Sequence, residues 1–464
     1  MPERVAVTSR ARGRLVVRDD HRARGEPTLS EQVPTRIEGV AHDEGAKLLR
    51  ELVDEIHWFD RSPFLSASAA APGLPPVLPT TPALSGDPVG RRGGARRVGV
   101  AFAPEHGTAA RDWAAGRGLP LLAADPAVTA LAGDKIHAAG IFRAAGVPTP
   151  ETVVVPADGR APAASYWPAH WPAAVVQRRA NNLTGRGTWP ARDRDELARL
   201  LARLPGEELR VSRLVDGPSL TVSACVAGDR VAVSAVSRQL VGVPELTPHW
   251  GGHCGNQLLG AGDLPGAAYE RAREAARGVG EELRLRGYRG VFGLDLVMES
   301  DGLVLAVEIN PRFQTVVSLV QRAERAAGLL PSLALHVLAC LLPSVPVRTA
   351  SVAMPSLAQL VSCAGHGGGL EVVDSLPAPG RYRLADDGSA RGPEPGGDGL
   401  ADLAPGEALV WWQSRPGGQV APGDELLLAQ LAEPVTRPAA TARSRALLPG
   451  ARAWVAALAA AGAR

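Results

Sequence analysis

Lysine is nearly missing from this chain. Only Lys47 and Lys135 are lysines among its 50 basic residues, an excess of arginine codons that makes each survivor a candidate for a task needing a compact ammonium rather than a planar guanidinium. Cysteine is scarce too. Cys225, Cys254, Cys340 and Cys363 have no paired metal-ligand spacing and are too sparse for a disulfide framework, so a reduced, cytoplasmic setting is expected. The net charge is only +2, which argues against broad attraction to nucleic acid or membrane and points to small-molecule partners. Residues 1–36 carry no signal-like apolar core. The longest apolar stretch, 326–347, is broken by Pro331, His336 and Pro343 and reads as a buried helix rather than a membrane span. The chain also lacks G-x-G-x-x-G and G-x-x-x-x-G-K, which disfavours ordinary dinucleotide and P-loop folds.

What is present suits a multidomain protein. At 464 residues with 45% hydrophobic composition there is core material for two or three domains. Residues 1–36 mix arginine with acids without apolar period and are expected to be disordered. Leu48, Leu49, Leu52, Val53 and Ile56 recur at helical steps, predicting a helix over 38–59. Residues 62–96, dense in Pro, Gly, Ala and Ser, read as a linker within a region spanning 37–132. A strand at 97–103, a helix at 108–118 and a strand at 120–123 predict a partial parallel sheet.

The most informative stretch is 290–313. Two apolar runs flank Asp301-Gly302, a dipeptide suited to a two-residue hairpin turn. A turn centred there pairs residues whose numbers sum to 603. Leu294, Leu296 and Met298 then meet Ile309, Val307 and Leu305 on an apolar face, while Asp295 meets Glu308 and Gly293 meets Asn310 on the other. Opposed side chains lie ~4.5–5.5 Å apart at Cβ, so the two carboxylates need either solvent on an edge hairpin or a cation between them. Two carboxylates and an amide oxygen suit a hard ion such as Mg²⁺. Asn310-Pro311-Arg312 favours the cation.

Asp295 followed by Glu308-Ile309-Asn310-Pro311-Arg312 resembles the metal-binding hairpin of the ATP-grasp superfamily. The resemblance spans roughly 134–342 within a domain placed at 133–344. It implies an α/β (α+β) ATP-grasp fold of two subdomains, preceded by the β-α-β region and followed by a β-rich domain at 345–464. It further implies ATP with Mg²⁺, or Mn²⁺ in its place, and metal ligands Asp295, Glu308 and Asn310. Arg312 would stand by the transferred phosphate. Asp134-Lys135 and Gly146-Val147-Pro148-Thr149-Pro150 match a family helix start and exit, which makes Lys135 a phosphate contact.

Other expected nucleotide contacts follow from the resemblance. The loop at 181–188 carries Gly185 and Gly187, whose backbones can approach phosphate oxygens. The preceding strand ends in Gln177-Arg178 where relatives place a lysine, and Arg178 is the expected substitute. The hinge around Ser212, Arg213, Val215 and Ser219 would hold adenine and ribose, although relatives often carry acids at the two serine positions and a lysine at the arginine. The loop at 241–257, with His253-Cys254, is expected to line substrate. Helices at 315–327 and 332–342 would cover the hairpin's apolar side. In the tail, residues 417–424 resemble turns of biotinyl or lipoyl barrels, but without a lysine there, a carrier role is excluded.

The implied activity is a Mg·ATP-dependent ligase that activates a carboxylate as an acylphosphate and joins it to an amine, with Lys135 and Arg312 as catalytic residues. Its partners would be small carboxylate and amine substrates, with no nucleic acid or membrane. A homodimer is compatible with this reading. The alternatives are a nucleotide-binding or regulatory protein with degraded catalysis, for which Gln177, Ser212 and Ser219 speak, and a carboxylase-like enzyme with a separate carrier.

Overall fold

The computed structural model describes residues 34–59, 71–80, 94–158, 161–180, 185, 187–365, 371–373, 376–394, 400–414, 416–437 and 446–462. The segment expected to be disordered lies outside them except at its end, where Thr35 opens the first strand.

The helix expected over 38–59 is instead strand Thr35–Val40, helix His42–Leu52 and strand Glu55–Phe59. Only Leu48, Leu49 and Leu52 belong to the helix; Ile56, His57 and Trp58 form a buried run in a parallel sheet. Strand Glu55–Phe59 lies between Val77–Thr80 and Arg97–Ala101, with Leu121–Leu122 beyond the latter. The parallel sheet is therefore as expected, and one strand comes from inside the supposed linker. Pro79 is tolerated because that strand sits at the edge.

A ten-stranded sheet carries the hairpin. Strands Gly290–Met298 and Val304–Asn310 pair antiparallel, and Gly290–Met298 pairs on its other side with Ser219–Ala227. The sheet continues through Arg230–Val241, His253–Leu259 and Ala358–Cys363 to the C-terminal strands Glu425–Leu431 and Glu407–Trp412. The loop expected over 241–257 thus gives its last five residues, 253–257, to the sheet.

The hairpin register holds at three pairs and then slips. Gly293 faces Asn310, Leu294 faces Ile309 and Asp295 faces Glu308, but Leu296 faces Ala306 and Met298 faces Val304. Val307 is an extra, bulged residue. The turn is longer than two residues, closed by Glu299 N–H to Leu303 O at 2.8 Å and Gly302 N–H to Glu299 O at 2.9 Å.

Helix Ala268–Leu285 covers the hairpin's apolar face. Tyr269, Ala272, Ala276 and Val279 pack in one core with Leu294, Leu296, Met298 and Ile309. This corrects the expectation for the two later helices. Helix Ser332–Leu341 packs with Val291 and Phe313 on the opposite side of the sheet, and helix Val317–Ala326 joins Ile37, Leu258 and Val352. Because successive strand side chains alternate between faces, a helix that packs on Val291 cannot cover Leu294. The described residues include no helix long and apolar enough to cross a membrane.

A separate four-stranded antiparallel sheet, in the order Thr152–Val155, Leu209–Arg213, Ala174–Arg178 and Thr188–Ala191, stands across a cavity from the hairpin.

Candidate active site

One cavity of about 2050 Å³ gathers Lys135, Gln177, Gly185, Ser212, Arg213, Val215, Ser219, Asp295, Glu308, Asn310 and Arg312. Of the residues singled out from sequence, Arg178 and Gly187 do not line it.

The carboxylates meet as the register required. Lys135 is 4% exposed and sets its Nζ 3.0 Å from Glu308 Oε1 and 3.3 Å from Ala180 O. It is not in a helix: it follows Asp134, whose Oδ1 accepts from the Ile136 and His137 amides, and helix Ala138–Ala144 starts only afterwards. Asp295 Oδ1 accepts from Gln239 Nε2 at 2.9 Å and Gln314 Nε2 at 3.0 Å, and Oδ2 accepts from Asn310 Nδ2 at 2.9 Å. Burial raises the Asp295 carboxyl above its ordinary range, and the negative charge of Glu308 raises it further, against the hydrogen bonds it accepts.

That electrostatic state fits a cation. A buried carboxylate whose proton affinity is raised by a second carboxylate gains from any positive charge brought between them. Among the described residues no three His, Cys, Asp or Glu side chains are placed to hold a metal; an ion between the two carboxylates would need the Asn310 oxygen as its third ligand, an all-oxygen set of the kind Mg²⁺ takes. Asn310 aims its amide nitrogen at Asp295 while its oxygen accepts from Arg312 Nη2 at 3.1 Å.

Arg312 forms an ion pair with Glu105 at 3.1 Å and lies over the Phe102 ring. Glu105, Gln239, Gln314 and Thr221 were not assigned from sequence. They come from four separate segments, and only folding shows that they converge on the hairpin. Gly293 makes room for Gln314: a Cβ there would fall 1.9 Å from Gln314 Cδ. Gly293→Ala is expected to lower stability by about 1–3 kcal/mol through overpacking, read as a lower urea midpoint; an unchanged midpoint would show that Gln314 is not seated there.

Arg178 does not take the lysine's place. Its Nε lies 2.8 Å from Glu207 at the surface, because Gln177 already takes the cavity face of the strand. A cation lining the cavity stands instead on the neighbouring strand, where Arg210 is paired opposite Gln177. Arg210 is 7% exposed; its Nε donates to Gln177 Oε1 at 3.1 Å and its Nη1 to Val307 O at 2.8 Å and Lys135 O at 3.2 Å. The carbonyl it reaches is that of the bulged residue. Burial lowers its pKa and Glu308 opposes that shift.

At the hinge end, Ser212 Oγ lies 3.0 Å from Thr152 Oγ1, and Arg213 bonds Glu299. Gly217 lies so close to Met298 that a Cβ would fall 1.7 Å from its carbonyl oxygen. At the other end His253 lines the cavity, whereas Cys254 is buried with its Sγ donating to Leu240 O. Cys254 is fully buried and does not line the cavity that His253 lines, so the two form no nucleophile pair.

The sequence profile of the ATP-grasp domain matches residues 132–316. This segment is an ATP-grasp domain. No curated protein matches the chain by sequence. Among solved structures, the fold is similar to the biotin carboxylase domain of Hydrogenobacter thermophilus 2-oxoglutarate carboxylase with MgADP and bicarbonate, at 13% identity and TM-score 0.56, covering 82% of this chain and 87% of that one. It is also similar to Aspergillus clavatus N5-carboxyaminoimidazole synthase with ADP and 5-aminoimidazole ribonucleotide, at 14% identity and TM-score 0.54, covering 82% and 94%. The corresponding synthetase of Thermotoga maritima gives 14% identity and TM-score 0.52, covering 88% and 98%. At such identities the likeness establishes the fold, and the α/β ATP-grasp architecture is the one expected.

Proposed function

We propose that the protein is a Mg·ATP-dependent carboxylate–amine ligase. The observation that carries this reading is the opposed Asp295–Glu308 pair, in one cavity whose basic lining residues include Lys135, Arg210 and Arg312. Mg²⁺ held by Asp295, Glu308 and Asn310 would supply charge neutralisation at the phosphates. Lys135 and Arg210 bind and orient phosphate oxygens, with the backbone at Gly185 beside them. A substrate carboxylate oxygen attacks the γ-phosphorus, ADP leaves, and Arg312 stabilises the acylphosphate. The amine nitrogen then attacks the acyl carbon and phosphate departs. Val215 and its neighbours supply backbone for adenine, with Ser212, Arg213 and Ser219 around it.

Degraded catalysis would suit a cavity without basic groups near the phosphates. Lys135 and Arg210 both line this one, which supports turnover. The test is ADP release with pooled carboxylic acids and pooled primary amines. Release is expected to need Mg²⁺ and both pools; release driven by bicarbonate in place of the acid pool would favour the carboxylase alternative.

A further inference from the structure

An amine meets water as an ammonium ion. Before it can attack an acyl carbon it must be drawn in as a cation and then lose a proton, so the second half of the reaction requires a carboxylate and a base beyond the phosphate end of the cavity. The wall facing Arg312 supplies both. His253 opens strand His253–Leu259, and Glu425 opens strand Glu425–Leu431; the two are separated in the sheet only by strand Ala358–Cys363. Both residues line the cavity with Arg312 and Thr315.

The hydrogen bonds of His253 assign its two nitrogens. Asn256 Oδ1 lies 2.8 Å from His253 Nε2 and also accepts from Gln359 Nε2 at 3.2 Å, while Asn256 Nδ2 donates to Ser237 Oγ at 3.4 Å. The amide oxygen therefore faces the imidazole, Nε2 carries the hydrogen, and Nδ1 keeps the lone pair. Thr315 Oγ1, three residues beyond Arg312, is 3.4 Å from the same Nε2. Burial holds His253 below its ordinary pKa; the charge of Glu425 and the bond to Asn256 oppose this, and the charge of Arg312 adds to it. The neutral imidazole thus keeps a lone pair at Nδ1, and it lines the same cavity as Glu425 and the arginine assigned to the acylphosphate. Among the described residues, Asp424 beside Glu425 accepts from the Ala421 amide at 2.6 Å, and Arg238, on the strand next to that of His253, donates to Arg437 O at 2.8 Å.

We propose that Glu425 and His253 form the amine site, with Glu425 holding a primary ammonium and His253 Nδ1 removing its proton. The C–N bond forms as the acyl C–O bond to phosphate breaks; one proton of the ammonium goes to Nδ1 and the second leaves with the phosphate. The C-terminal strands thus complete the acceptor site of the ATP-grasp domain. This inference rests on the acylphosphate reading, and its test separates the two.

The full-length protein is given Mg·ATP, a pool of the proteinogenic L-amino acids as carboxylate donors, and either hydroxylamine or a pool of glycinamide, ethanolamine and cadaverine. Hydroxylamine is uncharged near neutrality and traps an acylphosphate without an ammonium site. Wild type is expected to form both hydroxamate and amide. E425Q should lower the ratio of amide to hydroxamate by about tenfold or more through a raised amine KM, and H253N by about 10²-fold through kcat. Hydroxamate without amide in wild type, or an unchanged ratio in both variants, overturns the amine site and leaves the acylphosphate intact. No hydroxamate in wild type removes the acylphosphate and the amine site with it.

Discussion

Glu308→Ala protein is expected to release no ADP above background and to be measurably less stable than wild type. Both effects have one origin. Glu308 is the counter-ion of Lys135, and the two side chains are 15% and 5% exposed. Removing one partner of such a pair strands the other's charge and costs about 3–5 kcal/mol. Glu308→Gln keeps an oxygen within reach of Lys135 but not its counter-charge, so only part of the stability should return while turnover stays lost. Chemical denaturation with ADP release on the same samples separates the two effects. Near-normal turnover in either variant would remove Glu308 from the metal site.

Arg210→Gln should be nearly as damaging, although nothing in the sequence marks that arginine. It leaves acceptors at Gln177, Val307 and Lys135 without their donor, each orphaned group costing about 1–3 kcal/mol. It also removes a cation from the proposed phosphate end, where loss of one such group typically slows turnover by about 10²–10³-fold. Because Gln177 and Arg210 are paired directly across the ladder, the charge can be returned from the other strand. Gln177→Lys combined with Arg210→Gln is expected to recover most of the lost rate. Arg210→Gln alone with wild-type kinetics would show that the phosphates sit elsewhere.

Why Arg210 escaped notice explains much of what was and was not legible. With 48 of the 50 basic residues arginine, residue type carried no signal, and its partner Gln177 lies 33 positions away. Lys135 stood out for the opposite reason. The hairpin was legible where local pairing governs it: the sum rule placed Asp295 opposite Glu308 correctly. It failed beyond them because the bulge at Val307 and the longer turn leave no mark in an alternating pattern. Helical spacing misled over 38–59, where a helix runs directly into a buried strand. The side of the sheet on which each helix packs is a tertiary choice that an apolar stripe does not encode. Gln239 and Glu105 reach the site from segments far away in sequence, and only the fold brings them there, whereas Gln314 follows Arg312 by two residues and carried no motif to mark it.

The most direct test of the central claim is thermal unfolding of wild type and Glu308→Gln, each with and without Mg·ATP. Ligand at about 100 times its dissociation constant should add about 2.7 kcal/mol. Wild type is expected to show a stabilisation of this size that disappears when Mg²⁺ is chelated, and Glu308→Gln to show little or none. Equal stabilisation of both proteins, or stabilisation of neither, would contradict a nucleotide–metal site built on the Asp295–Glu308 hairpin.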